Sequence, residues 1–292
     1  MLKKLLIHPD TRYQLDLFLK RPGSGLLLVG RPGAGKYTVA IDTATKLLSL
    51  KTVNQIYNYP YLIHIRLPAG KHDIPIESVR EMIKQLQLTT TGHRLVRRIV
   101  IIEDAHLMSR EAQNALLKSL EEPPEDTVFI LSCPSPLGIL PTVKSRLQPV
   151  EIKPVSLVAA RKYFAGHFSP SLIDKAWRLS YGDAGLLTAI LIQDQSHPLK
   201  IAIDEAKQLL SISPYERLLF LDKLATERLR FLVLADALER VLKALQRAAL
   251  QRANKGLSNQ LLARRQLVKD CRTYLENSSS TRLVALKLAL NL

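Results

Sequence analysis

The residues of this chain best placed to do chemistry form one short run. Gly30-Arg31-Pro32-Gly33-Ala34-Gly35-Lys36 fits G-x-x-x-x-G-K and lies between an apolar run and a helical pattern. Glycines let consecutive backbone N–H groups turn toward one anion, and a helix N-terminus favours negative charge. Lys36 then reaches the outer phosphates of a nucleotide. The next position of the motif ordinarily carries Ser or Thr, whose short hydroxyl holds Mg²⁺ beside the β- and γ-phosphates. Here it is Tyr37, and Thr38 stands one residue out of register. A phenol cannot replace a short hydroxyl without moving the backbone. Residues Gly30 through Thr38 therefore predict a cradle for ATP or ADP with an impaired Mg²⁺ site.

A second acidic element stands at Ile99-Val100-Ile101-Ile102-Glu103-Asp104-Ala105-His106, where four apolar residues run into two carboxylates. The C-terminal end of a buried strand is where α/β sheets place their chemistry. In active ATPases of this pattern the first acid, normally Asp, holds Mg²⁺, and the second, normally Glu, polarises water. The order is reversed at Glu103 and Asp104. Asp104 is one methylene shorter than the usual base, and a positional error of about 1 Å costs on the order of 10²-fold in rate. A degenerate acidic box beside an impaired metal site predicts phosphate binding with little or no hydrolysis. Cys133 and Cys271 are too few for a disulfide framework and lack the paired spacing of a zinc site. His64, His72, His93 and His106 also lack metal-ligand spacing and read as structural or solvated, and Trp177 reads as a core contact. No resident metal is implied.

These groups need elements to hold them. Residues 25–30, GLLLVG, form a continuous apolar run of the kind found in strands buried on both faces. Val39, Ala40, Thr43, Ala44, Leu47 and Leu48 then give residues 36–50 an apolar stripe of helical period. The alternation continues with a strand at 61–67, a helix at 76–88, a strand at 98–102, a helix at 109–120 and a strand at 128–132. Interleaved strands and helices predict a parallel sheet flanked by helices. After Glu151 and Ile152 the strand signal fades, and 157–168, 171–179 and 182–193 read as short helices. From His197 helices dominate, with long amphipathic segments at 214–224, 225–252 and 257–275, a polar break at 277–280 and a last helix at 282–292. The expected organisation is an α/β nucleotide-binding domain over 1–152, a small helical lid over 153–196 and an all-α domain over 197–292.

With 292 residues, 47% hydrophobic and 23% charged, a disordered chain, a collagen-like repeat and a disulfide-stapled miniprotein are excluded. The 42 Lys+Arg against 26 Asp+Glu give +16. Residues 1–150 contribute 20 basic and 13 acidic side chains, 151–196 contribute 5 and 4, and 197–292 contribute 17 and 9. A solvated surface and a DNA-facing patch fit that surplus equally well. Lys3 and Lys4 before Leu5, Leu6 and Ile7 look like the opening of a signal peptide, but His8, Pro9 and Asp10 end the apolar run early. Elsewhere the apolar runs fall short of the ~20 residues of a membrane span. The expected location is the cytoplasm, with no membrane partner.

Taken with the phosphate loop and the IIEDAH box, the run Glu111-Ala112-Gln113-Asn114-Ala115-Leu116-Leu117-Lys118-Ser119-Leu120-Glu121-Glu122-Pro123-Pro124 resembles the clamp-loader branch of the AAA+ ATPases. Its NALLK and LEEPP stretches are the specific part. Leu140-Pro141-Thr142-Val143-Lys144-Ser145-Arg146-Leu147 looks like that branch's Ser-Arg-Cys box with Leu147 in place of cysteine. His8 through Arg12 and Thr281 through Leu288 look like the family's two end segments, so the resemblance covers nearly the whole chain. It implies a P-loop AAA+ domain, a helical lid and a helical collar through which subunits form an open hetero-pentameric ring. Such rings use ATP to open a sliding clamp and place it on primed DNA.

In that family the arginine of the Ser-Arg box projects into the neighbour's nucleotide site, and Ser145 and Arg146 match it. An arginine supplied across an interface is worth about 10³ to 10⁵ in rate, because it neutralises charge that grows in the transition state. The sensor position, usually a hydroxyl or amide, falls at or beside Cys133, a weak hydrogen-bonding group. In Tyr181-Gly182-Asp183-Ala184-Gly185, glycine stands where motor subunits carry a second-sensor arginine. The motor subunits' zinc cysteines, expected before Tyr61, are missing, so zinc is not implied. Substitutions at Tyr37, Asp104, Cys133 and Gly185 all remove hydrolytic function while Arg146 stays. The resemblance therefore implies a stator, the non-motor loader subunit that completes a neighbour's site within the bacterial DNA polymerase III machinery. Two other readings stay open: a hydrolysing motor subunit that tolerates Tyr37, and a stand-alone AAA+ DNA-binding or repair factor suggested by the +16 charge.

Overall fold

A computed structural model describes residues 5–68, 71–92, 94–277 and 280–292. His93 and the middle of the expected polar break at 277–280 lie outside the described residues. The chain packs as two compact units, Met1–Ala159 with Asp183–Gly185, and Ala160–Gly182 with Leu186–Leu292.

The first unit begins with α1 (Pro9–Lys20), a helix with no clear period in the sequence because only Thr11, Leu15 and Phe18 are buried. His8 caps it through ring Nδ1, which accepts from the Asp10 N–H at 3.2 Å, and Pro9 supplies a preset first helical residue. Thr11 Oγ1 donates to the Glu151 carbonyl at 2.7 Å and accepts from the Lys153 N–H at 3.1 Å, tying the helix to the far edge of the sheet. There follow β1 (Gly25–Val29), α2 (Lys36–Leu47), β2 (Leu62–Ile65), α3 (Ile76–Leu86), β3 (Arg98–Ile102), α4 (Arg110–Glu121), β4 (Thr127–Cys133), the short α5 (Pro141–Lys144) and β5 (Gln148–Glu151).

All strand pairs are parallel, in the order β2-β3-β4-β1-β5. Successive strand residues face opposite sides of a sheet, so two cores form. Leu26, Leu28, Ile99, Ile101, Val128 and Ile130 pack with Phe18, Val39 and Ala44 on one face. Leu27, Val100, Ile102, Phe129 and Leu131 pack with Val79, Met82, Leu116 and Leu120 on the other. Burial on both faces explains why β1, β3 and β4 read as unbroken apolar runs. The register places Val29 beside Cys133, Leu131 beside Ile102, and Ile102 beside Ile65. The loops after β1, β3 and β4 therefore leave one edge of the sheet together.

The second unit is helical. Its elements are α6 (Leu157–Phe164), which crosses the unit border, α7 (Pro170–Ser180), α8 (Ala184–Leu191), which also crosses it, α9 (Pro198–Ser211), α10 (Pro214–Leu224), α11 (Arg228–Gln251), α12 (Lys255–Glu276) and α13 (Thr281–Asn291). α11 packs on α9 and α12, and α10 packs on α13, around Ile203, Phe231, Leu238, Val268 and Leu288. Arg240 is buried here, with Nε donating to Asp236 at 2.8 Å and Nη1 to the Ser180 carbonyl at 3.1 Å. Its guanidinium lies 4.7 Å from the Tyr181 ring centroid, and Lys243 Nζ lies 4.4 Å from it. No described helix is long and apolar enough to cross a membrane.

Candidate functional site

The loop after β1 is built by its glycines. Gly33 and Gly35 take φ of 87° and 89°, a left-handed conformation open to glycine at no steric cost. The Gly30 N–H donates to the Cys133 carbonyl at 3.1 Å, anchoring the start of the loop to β4, and the Val39 N–H donates to the Gly35 carbonyl at 3.0 Å, opening α2. Pro32 and Thr38 are exposed and Ala34 is buried. Lys36 Nζ folds over the loop, donating to the Gly30 carbonyl at 3.0 Å and the Arg31 carbonyl at 3.5 Å. Burial lowers the Lys36 pKa, while Asp104, Cys133, Asp183 and Glu103 oppose that shift. Its ammonium is thus a poorly solvated cation beside a ring of backbone groups, the arrangement that gains most from an incoming anion.

Asp183–Gly185 belongs to this first unit and closes on the loop. Arg31 pairs with Asp183 at 3.1 Å, and that carboxylate is only 1% exposed. A Cβ added to Gly185 would lie 2.8 Å from both N and Cα of Gly35 and 2.9 Å from the Gly33 carbonyl oxygen. Backbone packs on backbone here. The position matched to the second-sensor arginine has no room for any side chain.

The acidic box lies beside the loop. Asp104 holds φ of 46°, uncommon for a residue with a Cβ, and its N–H donates to Ser132 Oγ at 3.1 Å. The polar hydroxyl at this end of β4 is therefore Ser132, next to the expected sensor position at Cys133, whose thiol burial pushes up to about 11. His106 is half-buried; burial lowers its pKa, and its Nδ1 has no hydrogen-bond partner among the described residues.

His64, whose spacing in the sequence reads as structural or solvated, links the loop to the acidic box. From β2 its Nε2 meets Glu103 Oε1 at 2.6 Å, and its ring stacks on Tyr37 with centroids 5.2 Å apart and planes 17° off parallel. Burial first, then Tyr57 and Glu103, push the Tyr37 phenol up to about 12, so it stays neutral. The fold family implies Mg²⁺ at this place, and the donor set does not fit it. Mg²⁺ demands near-octahedral oxygen ligands. The short hydroxyl expected after Lys36 is replaced by a stacked, neutral phenol, and Oε1 of Glu103 is engaged by an imidazole. No group of three His, Cys, Asp or Glu among the described residues is arranged to hold a metal ion.

Arg146 and Ser145 stand elsewhere, just beyond α5. Ser145 Oγ donates to the Thr142 carbonyl at 3.0 Å. Arg146 Nη1 donates to the Thr142 carbonyl at 2.7 Å and to Ser145 Oγ at 3.2 Å, while Nη2 pairs with Glu121 at 2.5 Å. The guanidinium is on the surface, with a third of its side chain exposed.

A parallel sheet flanked by helices, ending its first strand in a glycine-lysine phosphate loop and followed by an all-helical region, defines an AAA+ architecture. A gamma subunit-related protein of DNA polymerase III from Thermotoga maritima shares that fold, with a TM-score of 0.51 and 17% identity over 96% of this chain and 97% of the other. Residues 12–156 match the family described as "DNA polymerase III, delta subunit". DNA polymerase III subunit delta' of Yersinia pestis is 37% identical over 89 residues, which is 30% of this chain and 26% of that protein. The delta' subunit of Pseudomonas aeruginosa is 33% identical over 134 residues, 41% of this chain and 40% of its own length. DNA polymerase III subunit tau of Bacillus subtilis is 30% identical over 181 residues, 59% of this chain and 30% of its own. The chain thus matches less than half the length of each of these relatives. The chain is thus similar to DNA polymerase III subunits delta' and tau, and the family match falls on its α/β half.

Proposed function

We propose that this protein is a clamp-loader stator: a cytoplasmic subunit of a hetero-pentameric ring that helps place a sliding clamp on primed DNA and hydrolyses little or no ATP itself. What carries the reading is a contrast between two sites of one domain. At its own phosphate loop, Tyr37 stands where a metal-binding hydroxyl belongs and His64 engages Glu103, while Arg146 sits on the surface with Ser145 and Thr142 bracing its guanidinium. An arginine so placed can serve a neighbour, and Glu121 holds its charge until one arrives. The three-part organisation, with a lid over 153–196 and a collar over 197–292, belongs to the same proposal. Exposed Leu283, Leu286 and Leu290 on α13 support subunit contact there.

The test is DNA-dependent ATP turnover by a loader reconstituted from this protein and its host's motor subunits. Arg146→Ala should lower turnover by roughly tenfold or more, as loss of a trans arginine does, and Arg146→Lys should not restore it, because a point charge lacks the planar fork. Unchanged turnover in Arg146→Ala overturns the reading. Multiple-turnover hydrolysis by the purified chain alone, abolished by Lys36→Ala, would instead make it a motor. Tight, steeply salt-dependent duplex binding by the isolated chain would favour a stand-alone DNA-binding factor.

A further inference from the structure

We propose that His64 has displaced the metal from this site, so that the loop binds a nucleoside triphosphate as the free anion and gains nothing from Mg²⁺. The inference rests on the reading of Gly30–Lys36 as a polyphosphate cradle and names what that cradle takes. Three observations converge on it. The ring of Tyr37 lies on the imidazole of His64 at 5.2 Å, which turns the residue at the loop's hydroxyl position toward β2. The same imidazole binds Glu103 Oε1 at 2.6 Å, engaging the carboxylate that stands first after β3. Both contacts come from a single side chain on β2, which the parallel register sets beside β3: Ile65 pairs with Ile102, and the Glu103 N–H donates to the Ile65 carbonyl at 2.9 Å.

A hydrated Mg²⁺ bound between these residues would meet a carboxylate already engaged at Oε1 by the imidazole, and a stacked phenol where its short hydroxyl ligand belongs. The phosphate charge is met by groups of the chain itself. Lys36 is half-buried and folds over the loop onto the Gly30 and Arg31 carbonyls, and the left-handed glycines at 33 and 35 shape the amide cradle beside it.

The experiment measures ATP affinity of the full chain by calorimetry, once in EDTA and once in excess Mg²⁺. The expected result is binding in EDTA with a dissociation constant that changes by less than about threefold when Mg²⁺ is added. Lys36→Ala should abolish it. In Tyr37→Ser with His64→Ala, Glu103 is freed and the short hydroxyl restored, so Mg²⁺ should tighten binding by about tenfold or more. Wild-type binding that tightens about tenfold with Mg²⁺ overturns the proposal, and so does a folded double variant that stays indifferent to the metal. Should the double variant fail to fold, the wild-type comparison decides alone. Absence of ATP binding in both conditions also overturns it and leaves the stator reading untouched, since that reading is tested through Arg146 in the neighbour's site.

Discussion

At Gly185 the contact with the phosphate loop is backbone on backbone, and that makes a sharp demand on one residue. A methyl group there would stand 2.8 Å from Gly35, inside van der Waals contact with atoms that cannot swing away. Gly185→Ala should lower stability to urea by about 1–3 kcal/mol, the usual cost of overpacking. Gly185→Arg should cost more and confer no hydrolysis, so a stable, ATP-hydrolysing Gly185→Arg protein would contradict the geometry. The thiols offer a second residue-level check. Cys133 and Cys271 are both buried, and burial raises both pKa values, that of Cys133 to about 11. Thiolate is the reactive form. Neither should react with a thiol-specific chromogenic disulfide at neutral pH until denaturant is added, whereupon both should; rapid labelling of Cys133 in the native protein would show that the sheet edge is open.

Among the elements, the sheet is held at its other end by buried charge. Arg98, the first residue of β3, is 3% exposed, and its guanidinium donates to the Leu86 carbonyl at 2.7 Å and also to that of Leu88, meeting the orphan carbonyls that end α3. Arg98→Met should cost about 2–3 kcal/mol in unfolding free energy, because charge-assisted bonds are lost and the Leu86 carbonyl stays buried without its donor. Asp126, just before β4, has its pKa lowered: burial alone would raise it, yet hydrogen bonds from Thr90, Thr127 and Arg97 outweigh that. A depressed carboxylate stabilises the fold above its unfolded value of 3.8 and loses that contribution as pH falls through the lower folded value. Urea midpoints should therefore reveal nothing from Asp126 between about pH 7 and 5 and a loss below about pH 4, and Asp126→Asn should flatten that acid limb. The same elements show what a sequence can disclose. β1, β3 and β4 are legible because both faces are buried, and the helices from α10 onward because their stripes are long. β5 buries only Val150 and carries Pro149, a pattern that fits an edge strand but signals little by itself. α1 turns only Thr11, Leu15 and Phe18 inward, too few for its period to stand out. The phosphate loop and acidic box are local in sequence and could be read. The bridge through His64 joins residues 39 positions apart by strand register, and no spacing rule announces it.

On the scale of the whole molecule, separate cores imply separate responses to damage. Ile101 lies in a core of the first unit and Leu238 in that of the second, both at most 1% exposed. A Leu238→Ala or Ile101→Val cavity should lower one calorimetric transition and leave the other near its wild-type temperature, by about 2–5 and 0.5–1.5 kcal/mol respectively. A different kind of surface appears on α13. Leu283, Leu286 and Leu290 recur at three- and four-residue steps and are 68%, 41% and 62% exposed, so they line one face of the helix while Val284, Ala285 and Leu288 fill the core behind it. Three exposed leucines in one stripe leave apolar surface in water, and burying them against another subunit would remove it. Replacing all three with Gln keeps good helix formers on α13 and should leave the melting curve of the isolated protein within about 0.5 kcal/mol of wild type. On the proposed stator reading, the same variant mixed with clamp-loader subunits should fail to join a ring by native mass spectrometry. A triple variant that assembles at wild-type stoichiometry would remove α13 from the subunit interface and send the search to the remaining exposed faces of α11 and α12.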